Sequence, residues 1–263
     1  MNGSGSPPGF NALILAGSRG GEIDALAKSE GVAHKALIEL EGVPLLARVH
    51  AALQAAGAGR IMVVADDRQV VETARSLGAE VCAPQKGPSA SVAAAFASLG
   101  PPLLVTTSDH ALLRPQWVRD FVDRVPENTD VAILMASRIA VEAALPGSKR
   151  TWLRFADGEW SGCNLFYLAH AGAANAISSW EQVEADRKRP WRIAVRLGPG
   201  TLWNYWRGRL TLAQAVRRLG RALGVRAAIV PAKDGLAAVD ADKPEDMADI
   251  RTLISERRAG GGL

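Results

Sequence analysis

The 263-residue chain is 48% hydrophobic and 22% charged, a composition suited to one sizeable α/β core rather than to a disordered chain. No apolar run approaches the roughly 20 residues that span a bilayer, and the two cysteines, Cys82 and Cys163, stand in no CxxC or ligand cluster, which excludes a disulfide framework and a zinc module. The net charge of +4 is uneven, because Arg187 to Lys233 holds twelve Lys or Arg and no Asp or Glu, leaving the remainder acidic on balance.

Residues 1–10 are polar and rich in Gly, Ser and Pro, without the basic-then-apolar order of a signal peptide, and predict a disordered lead-in to a cytoplasmic protein. The apolar run Asn11 to Ala16 predicts a buried strand that stops at Gly17-Ser18-Arg19-Gly20-Gly21, where bare backbone leaves room for a ligand. Beyond Lys35, Pro44 to Ala56 has helical spacing and closes at Gly57. Strands at Ile61 to Ala65, Glu80 to Ala83, Leu103 to Thr107 and Asp130 to Ala136 alternate with helices around Val70 and Ala74, over Ala90 to Leu99, and from Pro115 to about Val125. That rhythm predicts a mainly parallel sheet covered on both faces. After Ser137 the pattern changes. Thr151 to Phe155 and Trp160 to Leu168 flank an Asp-Gly turn and predict a hairpin. Helices are expected at Gly172 to Glu184, Pro190 to Leu197 and Thr211 to Leu223, the last with a Thr211-x-x-Gln214 capping box. Strands Ala227 to Pro231 and Leu236 to Asp240 and a helix from Lys243 to Arg257 complete the order.

In a parallel sheet, ligands bind beyond the carboxyl ends of the strands. The Gly17 to Gly21 loop, Asp109 and Asp242 fall there. Taken by themselves, the glycines fit either a phosphate site or a mobile surface turn. Two carboxylates at strand ends can share a hard cation such as Mg²⁺, yet Asp242-Lys-Pro-Glu245 also suits a helix N-cap, and Asp109 can satisfy loop amides. A Rossmann dehydrogenase is disfavoured, since the loop lacks GxGxxG spacing.

Leu15-Ala16-Gly17, Lys35-Ala-Leu37 and Gly42-x-Pro44-Leu45-Leu46 resemble the amino-terminal signature of MobA-like, GT-A-type nucleotidyltransferases. That superfamily includes molybdenum-cofactor guanylyltransferases and sugar-, polyol- and isoprenoid-phosphate cytidylyltransferases. Gly87-Pro88-Ser89-Ala90-Ser91 resembles its second nucleotide-contacting segment, Thr107-Ser108-Asp109-His110 its metal-binding strand end, and Val239 to Asp246 its late Asp-Thr-Pro-Glu-Asp motif. The resemblance implies a Rossmann-like sheet with a hairpin and helical elaboration on the acceptor side. It implies one domain over residues 11–257, with a nucleotide-binding half at 11–137, an acceptor side and basic helical region at 138–233, a closing segment at 234–257, and a tail at 258–263. It implies Lys35, Arg19 and Asp109 as catalytic residues, and Mg²⁺ (or Mn²⁺) on Asp109 and Asp242, with Asp240 the competing ligand. Leu15, Ala16, Gly17, Ser18, Gly20, Gly21, Lys28, Gly87, Pro88, Ser89 and Ser91 would contact the nucleotide. The chain departs from the pattern in a longer Gly20 to His34 segment, in His110, and in Lys243 where threonine is common. Either Arg19 or Lys28 supplies the second positive charge.

The acceptor is expected between residues 138 and 233. Lys149, Arg150 and Arg154 suit an anionic acceptor, although each also suits a solvated surface, and Asn164 begins an apolar stretch that can reach the same cleft. Trp191, Trp203, Tyr205 and Trp206 interleave with the basic residues. This composition fits an anionic membrane surface, RNA, or a cap packed on the sheet through Ala213, Val216, Leu219 and Leu223; DNA is not expected. The expected activity is Mg²⁺-dependent transfer of NMP from CTP or GTP to a phosphorylated small molecule, with pyrophosphate leaving and a lipid-headgroup or polyol precursor as product. The alternatives are a GT-A-like glycosyltransferase and a non-catalytic nucleotide-binding regulator. Ser108-Asp109-His110 is not the Asp-x-Asp of the former, and Asp240-Ala-Asp242 stands at the wrong place in the chain.

Overall fold

The first strand, β1 (Phe10–Leu15), sets the two layers of the core, because its alternate residues face opposite ways. The structure is a computed structural model that describes residues 9–17, 24–185 and 198–259. The lead-in up to residue 8, the glycine-loop residues 18–23, the expected helix from Pro190 to Leu197 and the last four residues lie outside it. Leu13 packs with Met62, Val64, Leu103 and Val105 beneath one pair of helices, whereas Ala12 and Ile14 pack with Ile61, Val63 and Leu104 beneath the other. A strand apolar on both faces belongs in the middle of a covered sheet.

Along the chain follow α1 (Ala25–Ser29), a 3-10 turn (Lys35–Leu37), a two-stranded ribbon of β2 (Glu39–Leu40) and β3 (Val43–Pro44), and α2 (Leu45–Ala55). Next come β4 (Ala58–Val64), α3 (Arg68–Ser76), β5 (Glu80–Cys82), α4 (Pro88–Leu99), β6 (Leu103–Thr107), α5 (Pro115–Asp123), β7 (Val131–Ser137) and α6 (Arg138–Ala144). The second half comprises β8 (Leu153–Phe155), β9 (Gly158–Leu168), α7 (Ala173–Ala185), α8 (Pro199–Trp206), α9 (Leu212–Ala222), β10 (Ala227–Pro231) and α10 (Pro244–Ala259).

The central sheet has the order β10-β7-β9-β6-β1-β4-β5, with β8 paired to β9. β5, β4, β1 and β6 run parallel. β9 enters antiparallel between β6 and β7, and β10 is parallel to β7. The mainly parallel sheet and the hairpin are as the sequence pattern predicts. The Thr211–Gln214 capping box closes reciprocally at the start of α9. Among the described residues no helix is long and apolar enough to cross a membrane.

One expected strand is corrected. Leu236 to Asp240 begins instead as a 3-10 turn (Gly235–Ala238), started by the Asp234 carboxylate, which accepts from Leu236 N. All four residues of the turn are buried under α6. A short apolar run is buried in either conformation, so its hydrophobicity does not distinguish them. The pattern also does not announce α6, a helix whose N-terminus is held by Ser137 Oγ accepting from Ala140 N. Nor does it announce α8.

The sheet edge is tied by Asp130. Its carboxylate accepts from Arg226 N at 2.8 Å and from the guanidinium at 2.6 and 3.0 Å, and these bonds hold its pKa down at about 2. A carboxyl with a folded pKa below its unfolded value of about 3.9 adds stability that is complete above that value. The contribution is lost as pH falls through the folded pKa near 2. An Asp130→Asn protein should therefore melt several degrees below wild type at pH 7, and the gap in thermal midpoint should close as pH falls from about 4 toward 2. Equal midpoints at pH 7 would remove the tie.

Candidate active site

Parallel pairing brings the carboxyl ends of β1, β4 and β6 level, with Leu15 opposite both Val64 and Thr107. The chain is stitched just beyond them: Ala16 N donates to Val64 O at 2.9 Å and Ser108 N to Leu15 O at 3.0 Å. Asp109 follows at once, and its carbonyl accepts from Ala241 N at 3.0 Å. That bond draws the late segment 240–242 onto the end of β6, although it is far away in sequence.

Lys35 arrives from the opposite side, on the 3-10 turn capped by His34 Nδ1, which accepts from Ala36 N. Its ammonium lies 2.7 Å from Asp109 Oδ2 and 2.5 Å from Asp242 Oδ1. The Lys35 side chain is 14% exposed. Burial acts to lower its pKa, but the charges and hydrogen bonds of Asp109 and Asp242 outweigh burial and leave it above that of an ordinary lysine. The other Asp109 oxygen accepts a short hydrogen bond from Thr107 Oγ1. Where α10 begins, the Asp246 carboxylate accepts from the N–H groups of Asp242 and Lys243 at 3.3 and 2.9 Å.

Asp240 forms the floor of the cluster. Burial first, then the carboxylates of Asp242 and Asp109, raise its pKa to about 6. Its Oδ2 accepts from Asn164 Nδ2 at 2.8 Å, and Arg150 Nη2 lies 3.7 Å from Oδ1. Asn164 can reach it because β9 bulges: Cys163, Asn164 and Leu165 stand opposite the single β7 residue Leu134. Asn164 itself has φ of 49°, a left-handed conformation that asparagine tolerates better than most residues. Bulges of this kind re-aim side chains next to functional sites.

The second expected nucleotide segment is adjacent. A Cβ on Gly17 would stand 3.4 Å from Pro84, so the start of the glycine loop faces the loop that leads into α4. Gly87 and Pro88 begin that helix, whose first N–H groups have no intrahelical acceptor and favour an anion. Ser89 and Ser91 are buried. Ser91 Oγ accepts from Gln85 N and donates to Gly87 O, so it shapes the loop from within rather than facing a ligand.

The structure thus brings together Leu15, Ala16, Gly17, Lys35, Asp109, Asp242 and the Gly87–Pro88 turn. Ser18, Arg19, Gly20 and Gly21 lie outside the described residues, and Lys28 is exposed on α1. Two acceptor expectations are corrected. Arg150 is turned inward, with a side chain 9% exposed. It donates a short hydrogen bond to Ala238 O and another to Ser148 Oγ, so it braces the Asp240 segment rather than reaching for an acceptor. Arg154 is 80% exposed and paired with Glu159, on the outer hairpin strand. Lys149 is exposed nearby. His110 is packing rather than chemistry: it is buried beside Trp117, and burial holds the ring neutral with a pKa of about 4. Thr107, Asp246 and the bracing role of Arg150 were missed; Thr107 and Asp246 carry a sequence signal, one two residues before Asp109 and the other closing the late motif, whereas Arg150 carries none.

The chain is similar to known proteins in sequence and fold. The MobA-like NTP transferase domain matches residues 12–193. A hypothetical transferase from Thermus thermophilus is 31% identical and superposes with a TM-score of 0.79, covering 91% of this chain and 100% of its own. A nucleotidyl transferase from Methanothermobacter thermautotrophicus is 21% identical with a TM-score of 0.57, covering 94% of this chain and 98% of its own. CTP:phosphocholine cytidylyltransferase from Streptococcus pneumoniae has the same TM-score, 0.57, at 12% identity, covering 94% of this chain and 100% of its own. No curated protein matches the chain in sequence. With more than half its length matched by the family and a carboxylate–lysine cluster at the carboxyl end of its sheet, the chain belongs to the MobA-like NTP transferase family and is a nucleotidyltransferase.

Proposed function

We propose that the enzyme transfers NMP from CTP or GTP to a phosphorylated small molecule in a Mg²⁺-dependent (or Mn²⁺-dependent) reaction, with residues 11–137 binding the nucleotide and the acceptor seated on the side of residues 138–233. The observation that carries the reading is the convergence of Asp109 Oδ2 and Asp242 Oδ1 on one ammonium, at 2.7 and 2.5 Å. Both donors are carboxylate oxygens, which suit a hard cation, and a positive group already sits where they converge. Among the described residues no group of three or more His, Cys, Asp or Glu could hold a metal by itself. Two carboxylates completed by phosphate oxygens and water are the set that Mg²⁺ uses in nucleotide sites. When bound, the ion would draw charge from the α-phosphate and orient it for in-line attack.

The chain's own work is positioning and charge neutralisation. An acceptor phosphate oxygen attacks the α-phosphorus, the bond between that phosphorus and the bridging oxygen breaks, and its electron pair leaves on pyrophosphate. An acceptor phosphate is already ionised near neutral pH, so no side chain has to remove a proton from it. Lys35 offsets the negative charge that builds on the α-phosphate and leaving group. Backbone N–H groups of Gly17 and of the α4 N-terminus approach the phosphates and ribose, while the Ala16 N–H, engaged by Val64 O, holds the loop to the sheet. Asn164 and Arg150 keep Asp240 in place beside the metal-binding carboxylates.

The fold neighbour from Streptococcus pneumoniae is named for CTP and phosphocholine, which supports that pair as the first to test. The experiment is a pyrophosphate-release screen of the four NTPs against phosphocholine, phosphorylated polyols, phosphorylated sugars and molybdopterin-like acceptors, with and without Mg²⁺. One NTP–acceptor pair should release pyrophosphate in strict dependence on the ion. Consumption of a sugar nucleotide in place of an NTP would replace this reading with glycosyl transfer.

A further inference from the structure

The described part of the basic segment ends in an exposed aromatic tip. α8 is anchored at its start by buried Thr201, whose Oγ1 accepts from Arg218 on α9 at 3.2 Å. Beyond that anchor Leu202, Trp203, Tyr205 and Trp206 are exposed, Trp206 to 77%. The rings of Trp203 and Trp206 lie 5.4 Å apart, and the Arg207 guanidinium stands 4.6 Å over Trp203. Tyr205 packs edge-on against Phe155 of the hairpin at 5.9 Å. Phe155 shares its strand face with Leu153, itself exposed. The hairpin and tip are locked together, since Ala156 N donates to Leu210 O and Leu212 N to Asp157 Oδ1, both at 2.9 Å. The result is a rigid apolar prow rather than scattered surface residues, and such a patch marks an interaction site.

The charge beside it selects the partner. The described stretch 198–225 has five arginines and no acidic residue. Arg207, over the Trp203 ring, and Arg209 are exposed, and among the described residues neither has an ion-pair partner. A two-fold contact with a second copy would set this surface against itself, bringing arginines to face arginines. An RNA groove would present its aromatics for stacking along a basic track, whereas here aliphatic Leu153 and Leu202 flank the rings. Indole and tyrosine rings beside leucines, with exposed arginines among and next to them, suit a bilayer surface, where rings and aliphatic chains enter the interface and arginines meet anionic headgroups.

We infer that this prow, led by Trp203 and Trp206 and backed by Arg207 and Arg209, docks the enzyme on anionic lipid bilayers.

The test is co-sedimentation of the full chain with vesicles of phosphatidylcholine containing about 30% phosphatidylglycerol, against phosphatidylcholine alone, in about 0.1 M NaCl. Wild type should sediment with the anionic vesicles and stay in solution with the neutral ones. Trp203→Ser combined with Trp206→Ser should weaken binding about tenfold or more, and Arg207→Glu with Arg209→Glu by a similar factor. Both side-chain pairs are exposed, so each variant should melt with wild type. Four results would overturn the inference: no sedimentation of wild type with anionic vesicles, binding undiminished by loss of both indoles, RNA binding without vesicle binding, or a wild-type dimer that the tryptophan variant dissolves. None of these readouts depends on transferase activity, so the inference stands or falls apart from the proposed reaction.

Discussion

Nucleotidyl transfer by a Lys35→Ala protein is expected to fall about a hundred- to a thousandfold, the scale seen when one preorganised stabilising group at a reacting centre is removed. The ammonium is the positive group that Asp109 and Asp242 share, and Asp240 adds a third carboxyl to the same place, with its pKa pushed up to about 6. Deleting Lys35 removes the positive charge that Asp109 and Asp242 share. The folded protein should survive, because the site lies at the mouth of the sheet rather than in its core. Its melting temperature at neutral pH should drop, however, because the pKa of Lys35 is raised on folding: the stabilisation it supplies is complete below the unfolded value of about 10.4, and the gap to wild type should close only as pH rises through the folded value. The same variant should gain more thermal stability from added Mg²⁺ than wild type does, since the ion no longer competes with an ammonium for the two carboxylates. Asp109→Asn should lose a comparable factor in turnover but no such gain, because it removes one of the two oxygens proposed to hold the ion. Near-wild-type turnover in both variants would remove this mechanism.

That cluster was legible in the sequence only in part, and the reasons are physical. Asp109 and Asp242 each follow an apolar run, and strand ends are where an open parallel sheet places its ligands; Lys35 was legible as the lysine near the glycine loop and through the family resemblance. The parts that complete the site depend on contacts no local pattern encodes. Arg150 looks like any surface arginine beside Lys149 until Ala238 O and Asp240 are seen to hold it inward. Asn164 is reached by a bulge in β9, which inserts residues without altering hydrophobic alternation enough to betray itself. Ser91 carries the hydroxyl expected of a nucleotide contact, yet only the return of the loop from Gln85 to Gly87 shows that the hydroxyl is engaged within the protein. The sheet was easier to read than the site because β1, β4 and β6 are apolar on both faces, whereas Leu236 to Val239 is a turn buried as completely as a strand would be.

Gly235 is the position where one added carbon should do most damage to the fold. A Cβ there would lie 2.1 Å from Ala140 O, 2.3 Å from Ala140 C and 2.5 Å from Val141 Cα. All three atoms are backbone of α6, so no side-chain rotation can make room. The turn that starts at Gly235 buries Leu236, Ala237 and Ala238 against the sheet, and Arg150 grips its last carbonyl. Relief therefore requires α6 or the turn to move as a body, at a cost of about 3 kcal/mol or more. For a domain of this size that corresponds to a fall of roughly 6–12 °C in thermal midpoint. Gly162→Ala is the matched control, since nothing lies within 4 Å of the Cβ it would add, and it should melt with wild type. The site should suffer along with the fold. Asp240 and Asp242 follow the turn directly, and Ala241 N is their only backbone hydrogen bond to Asp109 among those described. Whatever Gly235→Ala protein remains folded should thus transfer nucleotide more slowly than its folded fraction accounts for. A Gly235→Ala protein that melts with wild type would mean that α6 does not press on the turn as described, and the bracing of the carboxylate cluster from beneath would have to be abandoned.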